Sequence, residues 1–160
     1  MGCYRSRMDR LPVRVLMVDD VAQLRDIVIK HLHGTGRYVV VAQVPTAEEA
    51  LGVLDTVCPD LVLLDLSMPG MGGVAALPQL HARRPDVKIA VFSGFEHAGR
   101  GPELLAAGAD VFVQKGTPLV RLVAELDALF GIGTQGDSAP GNDAPGNSPP
   151  GNGAPGNSAH

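Results

Sequence analysis

Along residues 13–130, short apolar runs of strand length alternate with segments whose apolar positions recur at three- and four-residue steps. The pattern predicts strands at Val13–Val18, Tyr38–Val44, Asp60–Asp65, Val87–Ser93 and Asp110–Gln114. It predicts helices at Val21–His33, Thr46–Val57, near Gly73–Arg83, Pro102–Ala107 and Pro118–Phe130. In the first helix Leu24, Ile27, Val28 and Leu32 fall on one face, and in the last Leu119, Leu122, Val123, Leu126 and Phe130 do the same. The run Leu61–Leu64 is apolar at every position, so both sides of that strand need cover, which is the mark of a parallel sheet between helical layers. Five successive βα units with right-handed crossovers predict a doubly wound α/β domain with a five-stranded parallel sheet in the flavodoxin-like order 2-1-3-4-5.

Local signals refine this outline. Thr46 followed by Glu49 predicts a capping box, and Gly34, Gly108 and Gly131 stand where helix C-terminal caps belong. Pro78 conflicts with an uninterrupted third helix, because it removes a hydrogen bond and clashes with the preceding turn, so a late start or a kink is expected. The glycines in His97–Gly101 predict a short fourth helix.

Composition divides the chain into three parts: a flexible leader at 1–11, the α/β domain at 12–131, and a tail at 132–160 built from Gly, Pro, Asn, Ser, Ala and Asp with Pro-Gly-Asn recurring at Pro140, Pro145, Pro150 and Pro155. Ordering such a tail costs about 1–2 kcal/mol per residue in backbone entropy, and it has almost no apolar surface to offset that, so disorder is expected. No output module fits into it. The leader matches an N-myristoylation pattern through Gly2 and Ser6, with Cys3 beside it, but the pattern is short and common by chance. No apolar run approaches a membrane span, and a net charge of −4 with 13 Lys and Arg offers no basic stripe, so neither membrane insertion nor direct nucleic-acid binding is expected. The two cysteines, Cys3 and Cys58, suggest neither a disulfide framework nor a zinc site, and a reducing, cytoplasmic setting is the expectation.

Open parallel sheets bind ligands outside the carboxyl ends of their strands. Asp19 and Asp20 close the first strand, Asp65 the third and Ser93 the fourth, and Lys115 follows the fifth. Each alone has an ordinary explanation: a helix cap, a turn, a loop hydroxyl, a solvated charge. Their convergence on one edge favours a site. Three carboxylates in one pocket repel by about 4 kcal/mol per pair at 4 Å and an effective dielectric of 20, and one lysine cannot offset them. A hard divalent cation with oxygen ligands can, which points to Mg²⁺. A carboxylate beside Mg²⁺ and Lys is suited to attack phosphorus, and Asp65 is the expected nucleophile.

The stretches Leu16–Asp20 with Arg25, Leu61–Gly73, Val91–Phe95 and Gly108–Gly116 resemble the signature stretches of response-regulator receiver domains, in the right order over about 12–130. The resemblance implies a two-component phosphorelay protein of the stand-alone, chemotaxis type, phosphorylated on Asp65 by a sensor histidine kinase or phosphotransfer protein and switching a surface for an unknown downstream protein. It further implies that Asp20 binds Mg²⁺ directly, Asp19 through water, Asp65 as well as accepting phosphate, and Ser67 through its carbonyl. Ser93 would bond a phosphoryl oxygen, Lys115 would pair with the phosphoryl group, and Phe112 would be the aromatic switch residue acting with Ser93. The chain would promote only its own phosphorylation and dephosphorylation. One departure is that Gly116 and Thr117 separate Lys115 from Pro118, where many relatives have Pro directly after the Lys, so the fifth loop is not expected to follow the family backbone. Rival readings are a phosphate sink, a phosphorylation-independent binding module, and a haloacid-dehalogenase-type phosphatase. The last would need a second Asp where Ser67 stands. No glycine-rich turn after a strand supports a nucleotide site.

Overall fold

Runs rich in Val, Leu and Ile form the strands of the computed structural model, which describes residues 11–133. These are β1 (Val13–Val18), β2 (Tyr38–Val44), β3 (Leu61–Leu64), β4 (Lys88–Ser93) and β5 (Val111–Gln114). The helices between and after them are α1 (Ala22–Gly34), α2 (Ala47–Val57), α3 (Gly72–Arg83), α4 (Gly101–Ala106) and α5 (Leu119–Phe130), and a 3-10 segment, Phe95–Arg100, precedes α4. All neighbouring strands pair in parallel, in the order β2-β1-β3-β4-β5, as the βα alternation predicts.

Successive side chains of a strand point to opposite faces, and this divides the core into two layers. Leu16, Val18, Val62, Leu64 and Val91 share a cluster with Leu54 of α2, Leu77 and Leu80 of α3 and Leu104 of α4. Val15, Met17, Leu61, Leu63 and Phe92 cluster instead with Val28 and Leu32 of α1 and Leu122 and Leu126 of α5. All four residues of β3 are buried, which is why its sequence has no polar alternation.

The chain runs from β1 outward to β2, then returns to build β3, β4 and β5 on the other side of β1. That reversal opens a crevice at the carboxyl ends of β1 and β3. Ladder-type bonds continue past the strand ends there. Asp65 N–H donates to the Val18 carbonyl at 2.9 Å, Asp19 N–H to Val44 at 3.2 Å and Lys115 N–H to Ser93 at 2.7 Å. The sheet itself therefore sets the positions of the polar residues that end its strands.

Several local expectations change. α1 runs through Gly34, its C-cap is Thr35, and the left-handed glycine is Gly36 (φ 71°). The Leu32 carbonyl accepts from both the Thr35 N–H at 3.2 Å and the Thr35 hydroxyl at 2.7 Å, and the chain turns at Gly36. Ile27 is 55% exposed rather than packed, whereas Val28 and Leu32 are buried and Leu24 packs beside them. α3 starts at Gly72, not late, and continues through Pro78, which simply cannot donate to the Val74 carbonyl. Thr46 does cap α2, its hydroxyl accepting from Glu49 N–H at 3.2 Å, and Gly131 does cap α5 in the left-handed region. Cys58 is disulfide-bonded, against the expectation from the sequence, and its partner lies outside the described residues. The expected leader up to Arg10, with its acylation pattern, and the tail from Thr134 onward also lie outside them. Among the described residues no helix is long and apolar enough to cross a membrane.

Candidate functional site

The two aspartates that end β1 have different fates. Asp19 is 1% exposed, and its Oδ1 accepts from Val21 N–H at 2.8 Å, a local turn that launches α1. Asp20 is exposed. Arg25, on the first turn of α1, braces this corner from outside: its guanidinium donates to the Asp19 carbonyl and, at 3.0 Å, to Gln43 Oε1 of β2.

Asp65 ends the central strand β3 and is 2% exposed. Its Oδ1 accepts from Ser93 Oγ and from Ser67 N–H, each at 3.1 Å. Lys115 Nζ stands 3.2 Å from Asp65 Oδ2 and 2.7 Å from Asp19 Oδ2. Despite that short approach, Asp19 Oδ2 accepts no well-angled hydrogen bond, so its contact with Lys115 is a charge contact. One oxygen from each of Asp19, Asp20 and Asp65 falls within 4.8 Å of the others. The carboxylates, the hydroxyl and the ammonium expected at one edge are thus brought together.

Burial is the largest influence on the Asp65 carboxyl and pushes its pKa up, with the Asp19 charge acting the same way, against the Ser67 N–H bond and the field of Lys115. For Lys115, burial alone would lower the pKa, but contact with Asp19 and the field of Asp65 outweigh it and hold the ammonium above its usual value. The pocket therefore keeps a fixed positive charge beside a carboxylate whose ionised form is poorly solvated. Such a carboxylate gains from any further cation. A buried oxygen lacking a good hydrogen bond, an exposed second carboxylate and a set of hard oxygen donors fit Mg²⁺ rather than a soft metal.

The β3–α3 loop, Asp65 to Gly73, closes tightly on itself. Gly73 N–H donates to the Leu66 carbonyl at 3.1 Å, and a Cβ on Gly73 would lie 2.2 Å from the Asp65 carbonyl oxygen and 2.7 Å from Leu66 Cα. Only glycine lets α3 start against the backbone of the site. Ser67 is exposed, with its Oγ 3.2 Å from His97 Nε2. On the other side of the loop Met71 N–H donates to Glu48 Oε1 at 2.9 Å. Sequence reasoning missed both braces. Glu48 is one of two acidic residues in the first turn of α2, and no spacing in the sequence links it to Met71 or His97 to Ser67.

Phe112 does not enter the acidic pocket. It is half-buried on β5 against the layer of α2, α3 and α4, and it borders a groove of about 400 Å³ with Gln114, Pro118, Val120 and Arg121. On α5, outside the stripe of Leu119, Leu122, Val123, Leu126 and Phe130, Val120 is 70% exposed in that groove, whereas Leu129 packs on the core. The insertion after Lys115 is absorbed by Gly116 (φ 94°) and a turn in which Thr117 N–H donates to the Gln114 carbonyl at 3.2 Å.

The model of the response regulator receiver domain family matches residues 15–127. The chain is 34% identical over 118 residues to the response regulator GacA of Pseudomonas viridiflava, covering 74% of this chain and 55% of that protein. It thus spans about half the length of the curated relatives it matches first. It is 32% identical over 115 residues to the chemotaxis protein CheY of Listeria monocytogenes, covering 72% of this chain and 96% of that one. Among solved structures, a CheY-like response regulator receiver domain protein from Methanospirillum hungatei superposes with a TM-score of 0.68 at 28% identity, over 74% of this chain and 94% of that chain.

Proposed function

The chain belongs to the response regulator receiver family, and on that premise we propose that Asp65 is its phosphoacceptor and that Mg²⁺ is its cofactor. Receiver domains of this family are phosphoacceptor modules of two-component signalling. What carries the residue assignment is the placement of Asp65 at the end of the central strand, with Ser93 at 3.1 Å, Lys115 at 3.2 Å and the Asp19 and Asp20 carboxylates around it.

In the proposed reaction an Asp65 carboxylate oxygen forms a bond to phosphorus, while the bond from phosphorus to the donor's histidine nitrogen breaks and its electron pair stays on that nitrogen. Burial raises the reactivity of the Asp65 anion by denying it water. Lys115 and the Ser93 hydroxyl, both already within reach of Asp65, are placed to take up charge and a hydrogen bond on the incoming phosphoryl oxygens. The carboxylates of Asp19, Asp20 and Asp65 and the Ser67 carbonyl would hold Mg²⁺, which when bound supplies charge neutralisation at those oxygens. The donor would be a sensor histidine kinase or a phosphotransfer protein, and the chemistry would be confined to the chain's own aspartate. Incubation with acetyl phosphate and Mg²⁺ should add one phosphoryl mass, mapped to Asp65, and EDTA should prevent it. Equal uptake with and without EDTA would remove Mg²⁺ from the reading, and no uptake from any donor would favour a binding module that works without phosphorylation.

The output is proposed to run through Phe112. Movement of Ser93 towards a phosphoryl group would free space beside β4 and β5, and Phe112, half-buried next to the groove at β5 and α5, is placed to respond. A partner that binds the switched state tenfold better supplies about 1.4 kcal/mol towards it. Phe112→Ala should leave Asp65 phosphorylation within about twofold of wild type while reducing the phosphorylation-dependent gain in partner binding by roughly that factor of ten. Pull-downs with phosphorylated and unmodified chain check this, and an unchanged gain in the variant would argue for a phosphate sink or another output face.

A further inference from the structure

We propose that Glu48 is a positioning residue for the metal-binding edge, holding the β3–α3 loop so that Ser67 is presented to the acidic pocket. This rests on the reading of that pocket as a Mg²⁺ site. Glu48 lies in the first turn of α2, an element not otherwise part of the pocket. Its position there is fixed, because the Thr46 hydroxyl caps the same turn through Glu49 N–H.

The loop that Glu48 touches is tied by backbone bonds at both ends, and Met68 between them is buried in the core. At its start, Ser67 N–H is tied to Asp65 Oδ1 at 3.1 Å, and at its finish Gly73 N–H is tied to the Leu66 carbonyl and packed against Asp65. Between them the chain turns at Gly70 (φ 82°) and Gly72 (φ 71°), conformations that glycine adopts without steric cost and that it also leaves easily. Glu48 holds the backbone of this apex, while Met68 and Met71 pack their side chains on the core. Glu48 Oε1 accepts Met71 N–H at 2.9 Å, and the carboxylate sits so close to Gly70 that a Cβ there would meet Oε1 at 2.9 Å. The bond to Met71 N–H is also the largest influence on the Glu48 carboxyl and lowers its pKa, so the carboxylate is ionised when it holds the loop.

A ring of nine residues anchored at both ends and at its apex has little freedom left for Ser67. Released at the apex, the two left-handed glycines allow the loop to sample other paths, and a metal bound through a loop carbonyl must then pay to order it again. Groups that hold a ligand from behind are worth 10–100-fold in metal affinity where they touch the ligand directly, and Glu48 acts through four residues of chain, so a smaller loss is expected.

The test is Mg²⁺ binding by isothermal titration calorimetry on the full unphosphorylated chain, with initial rates of acetyl phosphate labelling measured across a Mg²⁺ series. Glu48→Ala should weaken Mg²⁺ binding by about three- to tenfold, while labelling at saturating Mg²⁺ returns to within about twofold of wild type. Glu48→Gln keeps an oxygen acceptor for Met71 N–H and should stay within about twofold on both measures. Asp55→Ala, which removes the exposed ion pair of α2 to Arg83 at 2.8 Å, serves as a control for general loosening of α2 and should change neither. The proposal is overturned if Glu48→Ala binds Mg²⁺ like wild type, if Asp55→Ala weakens it as much, or if Glu48→Gln loses as much as Glu48→Ala, since the last would mean long-range charge attraction rather than a held loop. Absence of any Mg²⁺ binding by wild type would instead overturn the metal reading on which the proposal rests.

Discussion

Asp65→Asn should accept no phosphoryl group under conditions that label the wild-type chain, and in metal-free buffer at neutral pH it should melt at a higher temperature. The first outcome follows from chemistry: an amide oxygen is a poor nucleophile, and no other described carboxylate has both Ser93 and Lys115 within reach. The second follows from the direction of the Asp65 pKa. Burial, aided by the Asp19 charge, raises it in the folded state, so the folded chain binds that proton more tightly than the unfolded chain does. The ionised form therefore costs stability at any pH above the raised pKa, and the cost fades as pH falls through that raised pKa and is gone below the ordinary carboxylate range. An amide keeps an acceptor for Ser93 Oγ and Ser67 N–H, removes the repulsion with Asp19, and leaves Lys115 its contact with Asp19. Mass spectrometry after acetyl phosphate treatment reads the first outcome, and melting curves at neutral and acid pH read the second. Residual label on the variant would unseat Asp65 as the acceptor. A lower melting temperature at neutral pH would show that the Lys115 pair outweighs the burial cost.

Stability and function pull in opposite directions at such a residue. On the proposed reading, a carboxylate that is expensive to bury is retained because the same burial makes it reactive and gives a cation something to neutralise. Lys115 offsets part of the cost in the metal-free chain, and Asp19 Oδ2, buried without a good hydrogen bond, remains as an opening for more positive charge.

The sheet and the pocket were legible in the sequence for one shared reason. In a parallel sheet the strands are apolar through their length and become polar only where they emerge, so the residues that end the runs (Asp19, Asp20, Asp65, Ser93) and Lys115 beyond the fifth are the ones the fold places together. Periodicity located the strands, and the strands located the site. What it did not locate were contacts between loops of unrelated position in the chain. Glu48 and Met71 are 23 residues apart, and Ser67 and His97 are 30 apart, and neither pairing follows any helical or strand period. Two of the helix details that differ from the pattern are likewise not set by period alone. Ile27 satisfies the apolar period of α1 yet is left exposed, and Gly34 has the right type for a cap but the helix ends at Thr35, with the left-handed turn at Gly36.

The same chemical change, Gly to Ala, should have opposite effects at two positions. Gly73, the second residue of α3, has no positive φ, so conformational freedom is not what the site needs from it. Space is. A Cβ there would lie 2.2 Å from the Asp65 carbonyl oxygen, 2.7 Å from Leu66 Cα and 3.0 Å from the Asp65 carbonyl carbon, and all three are backbone atoms that no rotamer change can move. Relief requires α3 to shift away from β3 or the Asp65–Ser67 backbone to leave the sheet edge. Overpacking of this kind costs about 3 kcal/mol or more when backbone must give way, which is a fall of roughly 10 °C in melting temperature for a domain of this size. Because the displaced atoms belong to Asp65, the proposed phosphoacceptor, labelling by acetyl phosphate should slow by more than the loss of folded chain explains. Gly52 lies in the middle of α2, exposed, with nothing within 4 Å of a Cβ. Alanine at that position removes the backbone freedom of an unfolded glycine and should stabilise by about 0.5–1 kcal/mol without altering labelling. Melting curves and labelling rates of Gly73→Ala and Gly52→Ala, measured side by side, check both signs. If Gly73→Ala melted like Gly52→Ala, the close approach of α3 to Asp65 would not exist in solution, and with it would go the account of how the β3–α3 loop is held beneath the pocket.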